Sequence, residues 1–350
     1  MLELLVSADD RSGALETGGA CAQAGLSVRV GVCIDPSAEC SVVDIASRHC
    51  LAAEARKRVV EAHRHAEANF RCHKMDSVLR GNWADEVAAL VADGRTIGVL
   101  ASFPDAGRRC LNGVVYVHDE PVAGSDAGRD PRNALPSSRP LDYLVAAGIG
   151  QAVDDGRVLV LDANDNDELQ AAAGRCRDEG RMLTGTTGAI GAFAETIGGG
   201  AAAKLPALPR PALIVCGSLH PLSRAQIDQL ENPIFHPGDD LTPALDALAQ
   251  GRDIAICSPL VQGQVSDQDA KTMAERLAAM TWMLVEKAQV GALIVVGGDT
   301  AAAVLGSRSI QVIGNLEVAV PIGRLDDPKL TVVTKGGGMG TPSTLKALLN

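Results

Sequence analysis

The residues able to do chemistry in this chain fall into a few short runs. Ala8-Asp-Asp-Arg-Ser-Gly-Ala14 places two adjacent carboxylates after an apolar segment and before a helix. Such a pair can bind a hydroxylated ligand or Mg²⁺, or accept a proton. The plainer reading is that Asp9 or Asp10 caps the helix expected over 14–24. His73-Lys-Met-Asp-Ser-Val-Leu-Arg-Gly-Asn82 brings Lys74, Asp76, Ser77 and Arg80 close together at what reads as the opening of an amphipathic helix. Two cations, one carboxylate and one hydroxyl suit an anionic polyol. The plainer reading is a solvated helix start with an exposed ion pair. Ser47-Arg48 follows Val42-Val-Asp-Ile-Ala46, where a lone arginine reads first as surface charge.

The second half carries a different chemistry. Ala212–Cys216 runs into Gly217-Ser218. Ala292–Val296 runs into Gly297-Gly-Asp-Thr300, and Leu330–Thr334 runs into Lys335-Gly-Gly-Gly-Met-Gly340. Glycines let backbone N–H groups approach an anion, and a helix N-terminus adds its dipole. Thr341-Pro342 reads as an N-cap with proline at the first position of the last helix. One such turn means little; three at strand ends favour a nucleotide site. Neither GxxxxGK[ST] nor GxGxxG is present, and no GxSxG elbow occurs. His63 and His65, two apart on an expected helix, do not make a metal pair. His220 follows Gly217-Ser218 and reads as structural.

Strands and helices must hold these runs. Leu2–Ser7, Val28–Cys33, Ile97–Ala101, Val158–Asp162, Ala212–Cys216, Asp253–Cys257, Ala292–Val296 and Leu330–Thr334 are mostly continuous apolar runs, as in parallel strands covered on both faces. Between them Trp83, Val87, Leu90 and Val91 share a helical face, as do Met273, Leu277, Met280, Leu284 and Ala288. The rhythm is α/β: two α/β domains with mostly parallel sheets flanked by helices and a cleft between them. The Gly- then Pro-rich stretch over 198–211 reads as a linker, giving domains 1–205 and 206–350. Asp119–Pro140 is long and irregular, a functional loop or a disordered one.

Composition narrows the function. Apolar residues make 46% of the 350, enough for a packed core. Aromatics are only 2%, too few for a base-stacking surface. The net charge of −11 repels nucleic-acid and membrane phosphates at long range. No apolar run is long enough to span a bilayer, and the N-terminus reads as a first strand rather than a leader. Nine scattered cysteines with no CxxC suit reduced thiols in the cytoplasm.

Taken together and in order, these blocks resemble the four-carbon acid sugar kinase family along nearly the whole chain. Ala8–Ala14 resembles its ADD-[LF]-TGA, Ser47-Arg48 its SR pair, and Lys74–Asn82 its K-[IV]-DSTLRGN. Phe103–Arg108 is similar to P-x-x-GR, Gly128-Arg-Asp-Pro131 to ARDP, and Leu161-Asp-Ala163 to VDA. Gly217-Ser218, Gly297–Thr300 and Lys335–Gly340 resemble GS, GGET and KSGNFG. The resemblance implies an N-terminal sugar-acid domain, a C-terminal ATP domain, and phosphorylation of the terminal 4-hydroxyl of threonate, erythronate or a 3-oxo-tetronate with Mg-ATP. Substrate contacts would come from Asp9, Asp10, Arg48, Lys74, Met75, Asp76, Ser77 and Arg80. ATP contacts would come from Ser218, Gly297, Gly298, Asp299, Thr300, Gly337 and Gly340, with Asp299 acting through Mg²⁺ or the ribose. Asp76, Asp9 or Asp10 would take the hydroxyl proton, Asp76 being preferred because its motif is the most intact. Arg11 stands where the family has an apolar residue, and an added cation there suits a more acidic sugar acid. Asp299 is one methylene shorter than the usual Glu, and Gly338 and Met339 replace Asn and Phe. A homodimer would be ordinary for such a protein. A ligand sensor that has lost catalysis and a dinucleotide oxidoreductase are the rival readings; the missing GxGxxG speaks against the second.

Overall fold

The computed structural model describes residues 1–64, 66–129, 134–198, 200–261 and 265–349. The chain divides into two compact units, Met1–Ala203 and Lys204–Asn350.

The first unit contains, in chain order, strands β1 (Leu2–Ala8), β2 (Val28–Gly31), β3 (Cys40–Asp44), β4 (Ala68–Lys74), β5 (Ile97–Leu100), β6 (Arg108–Leu111), β7 (Val114–Val117), β8 (Glu120–Pro121), β9 (Val158–Val160) and β10 (Met182–Gly185). Its main sheet runs β2-β3-β1-β4-β10-β5-β9, and each neighbouring pair is parallel. Strands β6, β7 and β8 form a small antiparallel sheet. The helices are α1 (Arg11–Gln23), α2 (Ala52–Arg64), α3 (Trp83–Ala92), α4 (Pro140–Ala146), α5 (Gly150–Asp154), α6 (Asn166–Asp178) and α7 (Thr187–Ile197). Helices α1, α6 and α7 pack as one group, and α2, α3 and α4 as another. In β1 all but Glu3 are buried, as a strand covered on both faces requires. Trp83 anchors the core, its ring centroid 5.5 Å from that of Tyr143.

The second unit contains β11 (Ala212–Cys216), β12 (Ile234–Phe235), β13 (Ile254–Cys257), β14 (Ala292–Val296), β15 (Ile310–Glu317), β16 (Val320–Leu325) and β17 (Leu330–Lys335). Helices α8 (Pro221–Asp228), α9 (Thr242–Ala249), α10 (Asp267–Lys287), α11 (Gly298–Leu305) and α12 (Thr344–Leu348) accompany them. Strands β12-β13-β11-β14-β17 are parallel, and β16 and β15 continue antiparallel. Strands β11 and β14 are buried throughout.

Two expectations change. The segment after His73 does not open a helix: β4 ends at Lys74, a turn follows, and α3 begins at Trp83. Leu79 (φ 64°) and Gly81 (φ 83°) are left-handed there, a backbone no helix start adopts. Thr341-Pro342 lies outside the last helix, which starts at Thr344 after the cap residue Ser343. In the stretch expected as a linker, Gly198 lies against the end of α1, where an added Cβ would be 2.3 Å from the Ala24 carbonyl oxygen. His65, and Asp130 and Pro131 of the ARDP-like loop, lie outside the described residues. Among those described, no disulfide forms, and no helix is long and apolar enough to cross a membrane.

Candidate functional site

In the first unit β3, β1 and β4 are neighbours, and Asp44, Ala8 and Lys74 are register partners at their carboxyl ends. The crossovers from β1 and β4 lead to opposite sides of the sheet, which is where open α/β sheets bind ligands. Asp9 and Asp10 leave β1 at that edge. Asp10 caps α1 by accepting the Gly13 N–H at 2.8 Å, so the capping role is real. Its other oxygen takes Arg48 Nη1 at 2.5 Å.

Arg48 joins the two runs. Its Nε and Nη2 donate to both oxygens of Asp9 at 2.7 and 3.0 Å, and Nη2 stands 3.4 Å from Asp76 Oδ2. Its backbone is fixed as well, since the Ser47 and Arg48 N–H groups both donate to the Asp9 carbonyl. This is a largely buried, bidentate guanidinium rather than a surface charge. Asp76 folds its turn around itself, accepting the backbone N–H groups of Val78 and Arg80 and both Nε and Nη2 of Arg80. Asn82 Nδ2 ties the turn to the Ser47 and Cys50 carbonyls. Gly81 lies against Arg48, where an added Cβ would meet Arg48 Cγ at 3.1 Å.

Lys74 is buried, and among the described residues its ammonium donates one hydrogen bond, to the Met75 carbonyl at 2.6 Å. Its other two N–H groups donate to no described residue. Met75 turns its side chain into the core, so its backbone is what it offers a ligand. Ser77 is half-buried at the same turn. Arg11 is not at the site's disposal: it is buried with Asp44 as a counter-charge.

Burial would raise the Asp76 carboxyl, but Arg80 and Arg48 hold it far below the usual range. Burial alone would lower Arg48, yet Asp10, Asp9 and Asp76 carry it well above its ordinary value. Two further residues join this cluster. Burial pushes Glu16 of α1 up to about 7, against the pull of Lys74. Arg108 of β6 lies in the field of Asp76 and Glu16, and burial pushes it down. Glu16 sits inside an Ala/Gly-rich helix and gives no sequence signal. Arg108 belongs to the P-x-x-GR-like stretch, which was the available clue.

In the second unit β11, β14 and β17 are neighbours, with Cys216, Val296 and Lys335 in register at their carboxyl ends. The three glycine turns therefore meet. A Cβ on Gly217 would lie 2.2 Å from Thr300 Oγ1, and one on Gly337 would lie 2.5 Å from Ser218 Oγ. Gly297 caps α11 with φ 108°, a conformation open to glycine, and its missing Cβ would sit 3.2 Å from Ser218 Cβ. Lys335 points back into its own turn and donates to the Gly336 and Met339 carbonyls at 2.8 and 2.9 Å. Ser223 Oγ donates to the Gly337 carbonyl. Gly340 is left-handed beside Thr344, and Gly298 and the exposed Asp299 lie in the first turn of α11. His220 caps α8 through Nδ1, and a Cβ on Gly338 would lie 3.2 Å from its Nε2.

The class defined by these two units is a sugar-binding domain followed by a nucleotide-binding one. Residues 4–183 match the family described as the sugar-binding N-terminal domain, and residues 239–345 the nucleotide-binding C-terminal domain. The chain belongs to the four-carbon acid sugar kinase family. It is 29% identical to a D-threonate kinase of Bordetella bronchiseptica, over 97% of this chain and 95% of that one. It is 25% identical to a D-erythronate kinase of Heliobacterium modesticaldum, over 97% and 94%. Its fold is similar to that of a crystallised Haemophilus influenzae protein, with a TM-score of 0.74, 18% identity and 99% of both chains covered.

Proposed function

We propose that this chain is an ATP-dependent kinase that phosphorylates the terminal 4-hydroxyl of a four-carbon acid sugar of the threonate, erythronate or 3-oxo-tetronate type. The observation that carries the proposal is Lys74, a buried ammonium between carboxylates and arginines, with two N–H groups that donate to no described residue. A buried cation with unused donors suits an anion, and the surrounding Asp9 and Asp10 suit its hydroxyls. Lys74, Arg48 and Arg80 would take the substrate carboxylate, with Met75 and Ser77 lining it. The turns at Ser218, Gly297–Thr300, Gly337 and Gly340 would hold the ATP phosphates through backbone N–H groups. The relatives named D-threonate and D-erythronate kinase support the same substrate class.

Phosphoryl transfer asks little covalent chemistry of the protein. It needs the hydroxyl oxygen in line with the γ-phosphorus, neutralised phosphate oxygens and excluded water. Asp299 is an exposed carboxylate beside the glycine turns, which fits a magnesium ion carried mainly by phosphate oxygens and water. Bound there, the ion would neutralise charge on the transferring group; the ribose is the other partner Asp299 could take.

The test is ADP release with Mg-ATP and a panel of four-carbon sugar acids of each stereochemistry. Turnover with at least one acid, absent with no acid, is expected. Binding of both ligands with no ADP formed would make the protein a sensor and end the kinase reading.

A further inference from the structure

The carboxylates at the sugar-acid edge differ in what already holds them. Asp9 receives two N–H groups of Arg48, Asp10 one of Arg48 and one of Gly13, and Asp76 four from its own turn. Asp44 receives the Ala46 N–H and faces Arg11. Glu16 is different: among the described residues, no group donates a hydrogen bond to it.

Its placement is fixed by α1. Glu16 lies three residues beyond Gly13, and helical positions i and i+3 share a face. That face looks onto Lys74, because a Cβ on Gly13 would come 3.1 Å from Nζ. The charged groups acting on Glu16 are Lys74 of β4, Asp10 at the start of its own helix, Arg48 of the loop after β3 and Asp76 of the turn after β4. Arg108 of β6 completes the set. Glu16 is only partly buried.

We infer that Glu16, rather than Asp76, receives the proton of the hydroxyl that is phosphorylated. The inference rests on the kinase reading above. The substrate oxygen forms its bond to the γ-phosphorus as the P–O bond to ADP breaks, and the hydroxyl proton passes to the Glu16 carboxylate. A proton acceptor needs a free lone pair and affinity for the proton. Asp76 is poor on both counts: Oδ1 takes three N–H groups, Oδ2 takes Arg80 Nη2 and stands 3.4 Å from Arg48 Nη2, and the two arginines hold it ionised. Glu16 meets both: no described residue donates to it, and burial favours its protonated form.

The experiment compares wild type, E16Q and E16D by single-turnover ADP formation from pH 5.5 to 9, with calorimetry of the sugar acid alone. Wild-type rate should rise with pH and level off near neutrality. E16Q should bind the acid within about threefold of wild type, lose at least about a hundredfold in rate, and show no acidic limb. E16D keeps a carboxylate and should recover at least tenfold of that loss, which a packing role would not give. A rate for E16Q within threefold of wild type, or a surviving limb, overturns the assignment and leaves the kinase reading standing. Acid affinity falling in step with rate makes Glu16 a binding group and also overturns it. Wild type that forms no ADP with any acid ends both readings.

Discussion

At the scale of single residues, Asp76 is the carboxylate whose charge the fold most depends on. It is buried under Arg80 and Arg48, so its ionised form is favoured in the native state and its affinity for protons is lower there than in the unfolded chain, where a carboxyl titrates near 4. A depressed native carboxyl contributes stability that is complete above the unfolded value and is lost as pH falls below it. Asp76→Asn should therefore cost about 2 kcal/mol at pH 7 by urea unfolding, and the gap to wild type should narrow steadily as pH falls below about 4. A gap that stays constant with pH would mean that Asp76 acts through packing alone. Asp9, Asp10, Lys74 and Asp76 drew attention in the sequence by their types and spacing, whereas Arg48 by itself reads as surface charge and was singled out through the family resemblance. Their pairing was not legible there. That Arg48 binds Asp9, Asp10 and Asp76 together follows from the order β3-β1-β4, which residue types alone do not give. Glu16 was invisible for a related reason: a glutamate within a helix is ordinary until the tertiary fold surrounds it with charge.

At the scale of elements, the glycine turns of the second unit work through the side chains they omit. Gly297 at φ 108° strains any other residue, and its Cβ would press on Ser218. Alanine there should cost about 1–2 kcal/mol of stability and shift the turn that starts α11. Gly297→Ala is expected to weaken Mg-ATP binding more than tenfold while leaving sugar-acid binding within about twofold, each measured by calorimetry on its own ligand. Equal loss for both ligands would show a global effect and remove the turn from the nucleotide site. Strands β11 and β14 were legible to the residue, because ALIVC and ALIVV are apolar without break and lie between glycine or proline and glycine. Strand β4, ANFRCHK, was not: its Asn, Arg, His and Lys hide the period. His73 and Lys74 could look like a helix start only because the strand before them went unread. The polar residues on β4 have a structural reason. His73 Nδ1 lies 2.8 Å from Ser7 Oγ, which lies 2.8 Å from His63 Nε2, and His73 Nε2 stands 2.9 Å from Glu86, all four groups buried. This chain of contacts joins β1, α2, β4 and α3 beneath the charged edge, and a buried polar network of that kind favours one packing over others.

At the scale of the whole chain, each unit builds its own core and carries its own set of strand-end groups. The first edge is a balance of charges, with Asp9, Asp10 and Asp76 opposite Arg48, Arg80 and Lys74. The second is mostly uncharged backbone, gathered where Gly217, Gly297 and Gly337 leave no room for side chains. A carboxylated polyol needs the first kind of surface, since its carboxylate and hydroxyls call for cations and acceptors. A triphosphate can use the second, since rows of N–H groups bind phosphate oxygens without an added counter-charge. The net charge of −11 favours the same division, because a phosphate approaching so acidic a molecule must be held by short-range donors rather than drawn in from a distance. Amide hydrogen exchange should show the division directly. A four-carbon sugar acid should slow exchange over 9–16, 46–50 and 74–82, and Mg-ATP over 217–221, 297–301 and 336–341, because a ligand suppresses the local opening of the segments that hold it. Protection of the glycine turns by the acid, or of the charged edge by Mg-ATP alone, would reverse the assignment of ligands to units, and with it the roles given to Lys74 and Gly297.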